Sequence, residues 1–308
     1  MGRIRAITTF LNINFSRDLI ASTRKKNYYD YIHRNIENES YCNVTQISTH
    51  DRKPIPGIRN MIAISSGKGG VGKSTISANI AVALSNLGLK IGLMDTDIYG
   101  PNIPGILGSH VRPIANPDTG KIEPISAHGI KFISMGLLLE EDAPVIWRGP
   151  MLAKMVNQFL SNVAWGDLDI LVADLPPGTG DVQLTMTQSA PLTSAIILTT
   201  PSAIALEDVR RGVEMFQQVE VPIFGLVENM SNFQCDACNH IEYLFGRDQS
   251  ESIAKELGIP LVSKLPIDIA LRQCSDEGYP AVIEQPSAAS SQAIVDLAKK
   301  VVSDIEQR

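Results

Sequence analysis

The sequence predicts an α/β fold, a mostly parallel sheet with helices on both faces. Three observations carry this reading. Short apolar runs alternate with helical stretches from Met61 onward, a glycine-rich turn joins the first run to a helix, and two later runs end at the carboxylates Asp95 and Asp174. Taken in order, "MIAIS" (61–65) reads as a buried strand, followed by a helix from about Gly72 to Leu87 that Gly88 stops. "KIGLMD" (90–95) and "IKFISMG" (130–136) read as further strands. Met151–Val163 is expected to be a helix, with Leu152, Met155, Val156, Phe159 and Leu160 on one apolar face. "LDILVADLPPG" (168–178) is a strand closed by a rigid turn, and "SAIILTTP" (194–201) is another strand. A helix over about Leu206–Val219, the strand "VPIFGLVENM" (221–230) and helices near 248–257 and 287–306 complete the pattern.

The bulk properties fit such a fold and narrow the function. The 308 residues are 44% hydrophobic and 19% charged, enough for a sizeable core and unlike a disordered chain. A net charge of −6 gives no reason to expect a nucleic-acid partner. No apolar run approaches the ~20 residues that span a bilayer, so at most peripheral membrane contact is expected. Four cysteines do not make a secreted disulfide scaffold, and a reducing compartment fits better.

The first 17 residues carry Arg3, Arg5 and Arg17 without an acid, with Ile4, Ile7, Leu11 and Phe15 at helical spacing. That is the composition of a mitochondrial transit peptide, the alternative being a short surface helix. Pro54, Pro56 and Gly57 punctuate the end of the polar, disordered-looking stretch that follows. The expected division is therefore a leader over 1–54 and one working domain over 55–308.

"GKGGVGKST" (67–75) satisfies G-x-x-x-x-G-K-[ST] between a strand and a helix. The residues are Gly67, Lys68, Gly69, Gly70, Val71, Gly72, Lys73, Ser74 and Thr75. Such a loop curls its backbone N–H groups around phosphate oxygens at a helix N-terminus. Lys73 then reaches the β/γ-phosphates and Ser74 ligates Mg²⁺, which makes this a nucleoside triphosphate site. Asp95 and Asp97 follow the next strand, and alternation sends both to one side, one for the metal shell and one for the attacking water. Asp174 stands as the Walker-B carboxylate, ahead of a Pro-Pro-Gly turn poised to sense the γ-phosphate. Cys235 and Cys238 form a lone CxxC in a hairpin-like insertion. Thiolates select Zn²⁺, Cu(I) or iron–sulfur clusters, and His240 leaves a Cys2His zinc site open, beside a redox or purely structural role.

Lys68 and the run "KGGVGKS" resemble the deviant phosphate loop of the MinD/ParA and nitrogenase iron-protein superclass. That resemblance implies a homodimer in which the extra lysine reaches the partner's ATP. "IAISSGKGGVGKST", "MDTDIYGPNIP", "VIWRGP", "WGDLDILVADLPPGTGDVQL", "VENMSNFQCDACNHIEYLFG" and "RQCSDEGYP" are similar to the Mrp/NBP family of iron–sulfur cluster carriers. The likeness covers nearly all of the chain from Lys53 to Lys300. "KPIPGIRN" and the missing N-terminal cysteine cluster favour its mitochondrial branch, which serves respiratory complex I. The resemblance implies a P-loop ATPase of weak activity that uses ATP and Mg²⁺, with Asp97 orienting the water and Asn229 reading the adenine edge. It further implies a labile 4Fe–4S cluster held by Cys235 and Cys238 across the dimer, delivered to apoproteins such as complex I subunits in the mitochondrial matrix. A cytoplasmic location is the alternative. Cys274 departs from the family pattern and reads as a buried apolar filler. Cys42 and Arg148 carry no assigned role. A positioning ATPase of MinD/ParA type and a zinc-stabilised nucleotide switch are the competing functions.

Overall fold

The computed structural model describes residues 54–97, 100–138, 149–235 and 237–308. Residues 1–53 of the expected leader, Cys42 among them, and Arg148 lie outside the described residues. From Ile58 the elements are β1 (Ile58–Ser66), α1 (Lys73–Asn86), β2 (Ile91–Asp95), α2 (Ile103–Ile106), β3 (Ile125–Ala127) and β4 (Ile130–Ser134). Next come α3 (Gly149–Ser161), β5 (Leu168–Asp174), α4 (Asp181–Ser189), β6 (Ser194–Thr199), α5 (Ala203–Gln218) and β7 (Ile223–Gln234). The chain finishes with β8 (Ile241–Glu242), α6 (Gln249–Glu256), β9 (Leu261–Ile267), α7 (Ile269–Glu277), α8 (Ala281–Glu284) and α9 (Ala289–Gln307).

The sheet runs β3-β4-β2-β5-β1-β6-β7-β8, with β9 also paired to β7. Every pairing is parallel except the short β3 and β8, which pair antiparallel with β4 and β7. Alternation along the central strands feeds two cores. Met61 and Ala63 of β1 join Phe159, Val209 and Phe216 on one face; Ile62 and Ile64 join Ile76, Ile80, Ile294 and Leu297 on the other. Helix α1 is apolar on nearly every side because α9 covers the side that the sheet does not.

Several expected boundaries shift. The strand at 168–174 ends at Asp174 before its turn as expected, but the strand at 194–201 stops at Thr199, and Met135–Leu137 form a 3₁₀ turn rather than the end of a strand. The strand expected over 221–230 instead continues to Gln234, because β8 and β9 supply partners for its polar end. β9, α7 and α4 were not anticipated. No described helix is long and apolar enough to cross a membrane.

Candidate functional site

The phosphate loop leaves the middle of the sheet, between the carboxyl ends of β5 and β6. Its curl requires glycine at two close approaches. A Cβ on Gly67 would stand 2.3 Å from the Asp208 Cβ, and one on Gly72 would stand 2.5 Å from the Asn229 Nδ2. Gly72 has φ +86° and opens α1 without a side-chain cap, so the first-turn N–H groups of the helix face outward.

Beside the loop lies a cavity of about 840 Å³. Lys68, Gly69, Gly70, Gly72, Lys73, Ser74, Thr75 and Asp97 all line it, as does Pro177 of the Pro-Pro-Gly turn. The remaining sequence candidates stand behind or away from the wall. Gly67 packs against α5, and Val71 is buried in the core. Asn229 donates its amide to the Val71 carbonyl at 2.8 Å. The opposite wall comes from residues to which the sequence assigned no role: Asn102, Ile106, Gly108, His110 and Met230, together with Ser275–Gly278 at the end of α7. Likeness alone had picked out "RQCSDEGYP"; the fold gives that segment a place on the cavity.

Asp174 is fully buried and organises the loop from below. It pairs with Lys73 Nζ at 2.9 Å and accepts hydrogen bonds from Ser74 Oγ at 2.7 Å and Ser77 Oγ at 2.6 Å. Asp95 is its cross-strand partner in β2. Ser134 Oγ donates to Asp95 at 2.7 Å and the Asp97 N–H donates at 3.1 Å. Burial and then the charge of Asp174 push the Asp95 carboxyl up to about 8, against the pull of those hydrogen bonds and of Lys73. Of the two acids that alternation sends to one side, one reaches the cavity and the other does not. Asp97 faces the cavity, while Asp95 is wholly buried, because the chain leaves the ladder after Asp95.

This donor set fits a phosphorylated nucleotide and a hard divalent cation. Exposed loop N–H groups and Lys73 suit phosphate oxygens, and the Ser74 hydroxyl on Asp174, with Asp97 on the same cavity, supplies oxygen ligands.

The cysteines lie outside the cavity, at the tip of the β7–β8 hairpin. Phe233 pairs with Glu242 and Gln234 with Ile241. The turn closes through the Cys235 N–H on His240 O at 2.9 Å and the Asn239 N–H on Cys235 O at 2.8 Å. Cys235 is half-buried and Cys238 is exposed. His240 does not turn toward the thiols to complete a Cys2His set: its Nε2 lies 3.3 Å from Glu242. Among the described residues, no group of three or more His, Cys, Asp or Glu gathers as a metal site. Exposed Ile241, Leu244 and Phe245 follow the turn. Cys274 sits in the core between sheet and helices as an apolar filler, and burial raises its thiol pKa.

The chain is similar to proteins of known kind over most of its length. It is 49% identical over 264 residues to the iron-sulfur cluster carrier protein of Synechocystis sp., spanning 84% of this chain and 75% of that protein. It is 46% identical over 252 residues to the Arabidopsis thaliana iron-sulfur protein required for NADH dehydrogenase, mitochondrial, spanning 82% and 80%. A nucleotide-binding protein from Archaeoglobus fulgidus, solved in complex with ADP, superposes with a TM-score of 0.65 at 37% identity, over 77% of this chain and 92% of that one. Residues 57–302 match the model of the ParA family described as NUBPL iron-transfer P-loop NTPase, and the chain belongs to that family.

Proposed function

We propose that this protein is an ATP-dependent iron–sulfur cluster carrier that binds a 4Fe–4S cargo between two copies and passes it to apoproteins, among them subunits of respiratory complex I. The observation that carries the reading is the union, in one chain of this family, of a phosphate-loop cavity and a surface pair of thiols. Two thiols are half of the four-thiolate set that such a cluster takes, so a second copy supplies the rest. Residues 1–54 serve as a mitochondrial transit peptide with its trailing segment, residues 55–308 as the working domain, and the protein acts in the matrix.

In the cavity, the N–H groups of residues 67–75 and Lys73 hold the ATP phosphates, Ser74 and Asp174 hold Mg²⁺, and Asp97 orients the attacking water. Mg²⁺ would neutralise phosphate charge as it builds up. Lys68 extends toward the partner's nucleotide, and Asn229 braces the loop through the Val71 carbonyl rather than reading the adenine edge. Hydrolysis is slow, because the turnover serves a release step rather than metabolism.

Anaerobic purification followed by absorption spectroscopy and iron, sulfide and zinc analysis tests the reading. The expected protein is brown, with about four irons per dimer, and loses them in Cys235→Ala/Cys238→Ala. A colourless protein with stoichiometric zinc would replace the carrier by a zinc-stabilised nucleotide switch.

A further inference from the structure

We infer that strand β7 transmits nucleotide occupancy from the phosphate loop to the cysteine turn, bending at Met230. The inference rests on residues 67–75 binding nucleotide and on the cysteine turn being the cargo site; it assumes no particular metal.

Both ends of the strand are tied. At one end Asn229, only 5% exposed, bonds the Val71 carbonyl and fills the space over Gly72. The loop cannot move there without displacing this side chain, because a packed interior passes strain on. At the other end, Phe233 and Gln234 are locked in the hairpin, and Cys235 follows directly. The two ends are joined by at most roughly 20 Å of extended chain.

The give lies between them. Met230 lines the cavity and has φ +58°, a left-handed conformation that a strand residue seldom adopts. Pairing with β9 slips at the same place, from Asn229↔Leu265 straight to Phe233↔Ile267. Four steps along β7 thus match two along β9, a bulge that re-aims whatever follows it. Ser231 Oγ pins the bulge to Leu265 O at 3.0 Å, and Asn232 Nδ2 donates to that same hydroxyl at 3.1 Å. A nucleotide that touches Met230 or shifts Val71 favours one setting of the bulge over another, and this differential contact is what any coupling requires. Cys235 moves with that setting.

The test measures alkylation rates of Cys235 and Cys238, resolved by mass spectrometry, in the full-length metal-free protein with and without a non-hydrolysable ATP analogue. The wild-type rates are expected to differ about five-fold or more between the two conditions, within the usual span of site-to-site coupling. Ser231→Gly/Asn232→Gly softens the link while leaving Asn229, Met230 and both cysteines in place, and is expected to bring the ratio close to one while the analogue still binds. Equal wild-type rates would overturn the inference. A ratio that persists in the variant would overturn the route and point to closure of the dimer instead. Should the variant fail to fold, amide hydrogen exchange on the wild type decides. Nucleotide-induced protection running from Asn229 through Cys235 supports the route, and protection that stops at Asn229 rejects it. None of these outcomes depends on cluster loading, so a colourless protein could still pass the test and a brown one could fail it.

Discussion

Asp95 places a second carboxyl in the dry interior beside Asp174. Its value rises from 3.8 to about 8 through burial and that neighbouring charge. A carboxyl whose folded value exceeds its unfolded value holds its proton more tightly when folded. Its contribution to stability is therefore complete below about pH 4 and is lost as the pH rises through about 8. Asp95→Asn keeps an acceptor for the Asp97 N–H, and the Ser134 hydroxyl can turn to accept from the new amide. The variant is expected to lose the downward slope and, near pH 9, to exceed wild type by about 2 kcal/mol, a discounted share of ~1.4 kcal/mol per pH unit. Urea midpoints from about pH 5 to about pH 9 measure this. Parallel slopes for the two proteins would mean that Asp95 stays charged throughout.

At the scale of elements, the far wall of the cavity is a clasp between α2 and α7. Gly278 caps α7 at φ +80°, and a Cβ there would stand 2.6 Å from the Gly108 Cα, a backbone atom that cannot swing aside. His128 reinforces the clasp, with Nε2 3.1 Å from Leu107 O and its ring edge-on to Tyr279. Gly278→Ala is expected to cost roughly 1–3 kcal/mol in strain and to weaken ATP binding about ten-fold by parting the wall. Calorimetric titration beside a melting curve checks both, and unchanged affinity in a destabilised variant would remove the clasp from nucleotide recognition. This wall also marks the limit of what could be read from sequence. The phosphate loop is contiguous, so its chemistry is visible in nine consecutive letters from Gly67 to Thr75. The opposite wall is assembled from three separate stretches, 102–110, 230 and 275–278, that only the fold brings together. β1, β2 and β5 were legible because buried parallel strands are continuous apolar runs. β9 was not: it is mostly half-buried and carries Lys264 and Pro266, so its pairing with β7 rather than its composition makes it a strand. The same pairing extends β7 through the polar "SNFQ", which no periodicity would have called.

At the scale of the molecule, the two functional regions make unequal demands on the fold. The phosphate loop joins β1 to α1 in the centre of the sheet, between both cores. Its lysine, 6% exposed, is paired to a fully buried aspartate. The cysteine turn hangs from the β7–β8 hairpin, where Cys238 and most of its neighbours are exposed. Nucleotide should therefore stabilise the molecule as a whole, and the cysteines should hardly affect it. At a hundred-fold excess over Kd, a ligand bound only by the folded state adds ~2.7 kcal/mol, or about 5–10 °C in Tm for a domain of this size. Cys235→Ala/Cys238→Ala in metal-free protein is expected to keep that shift, with its starting Tm within about 2 °C of wild type. Lys73→Met is expected to lose the shift and to start lower, because it strands the Asp174 carboxylate in the interior, a loss of about 3 kcal/mol for a broken buried pair. Scanning calorimetry of the three proteins with and without Mg·ATP gives both readouts. If the cysteine variant lost the nucleotide shift, the hairpin would have to be part of the nucleotide-binding core, and β7 would be a structural strut rather than a strand that can be set in two ways.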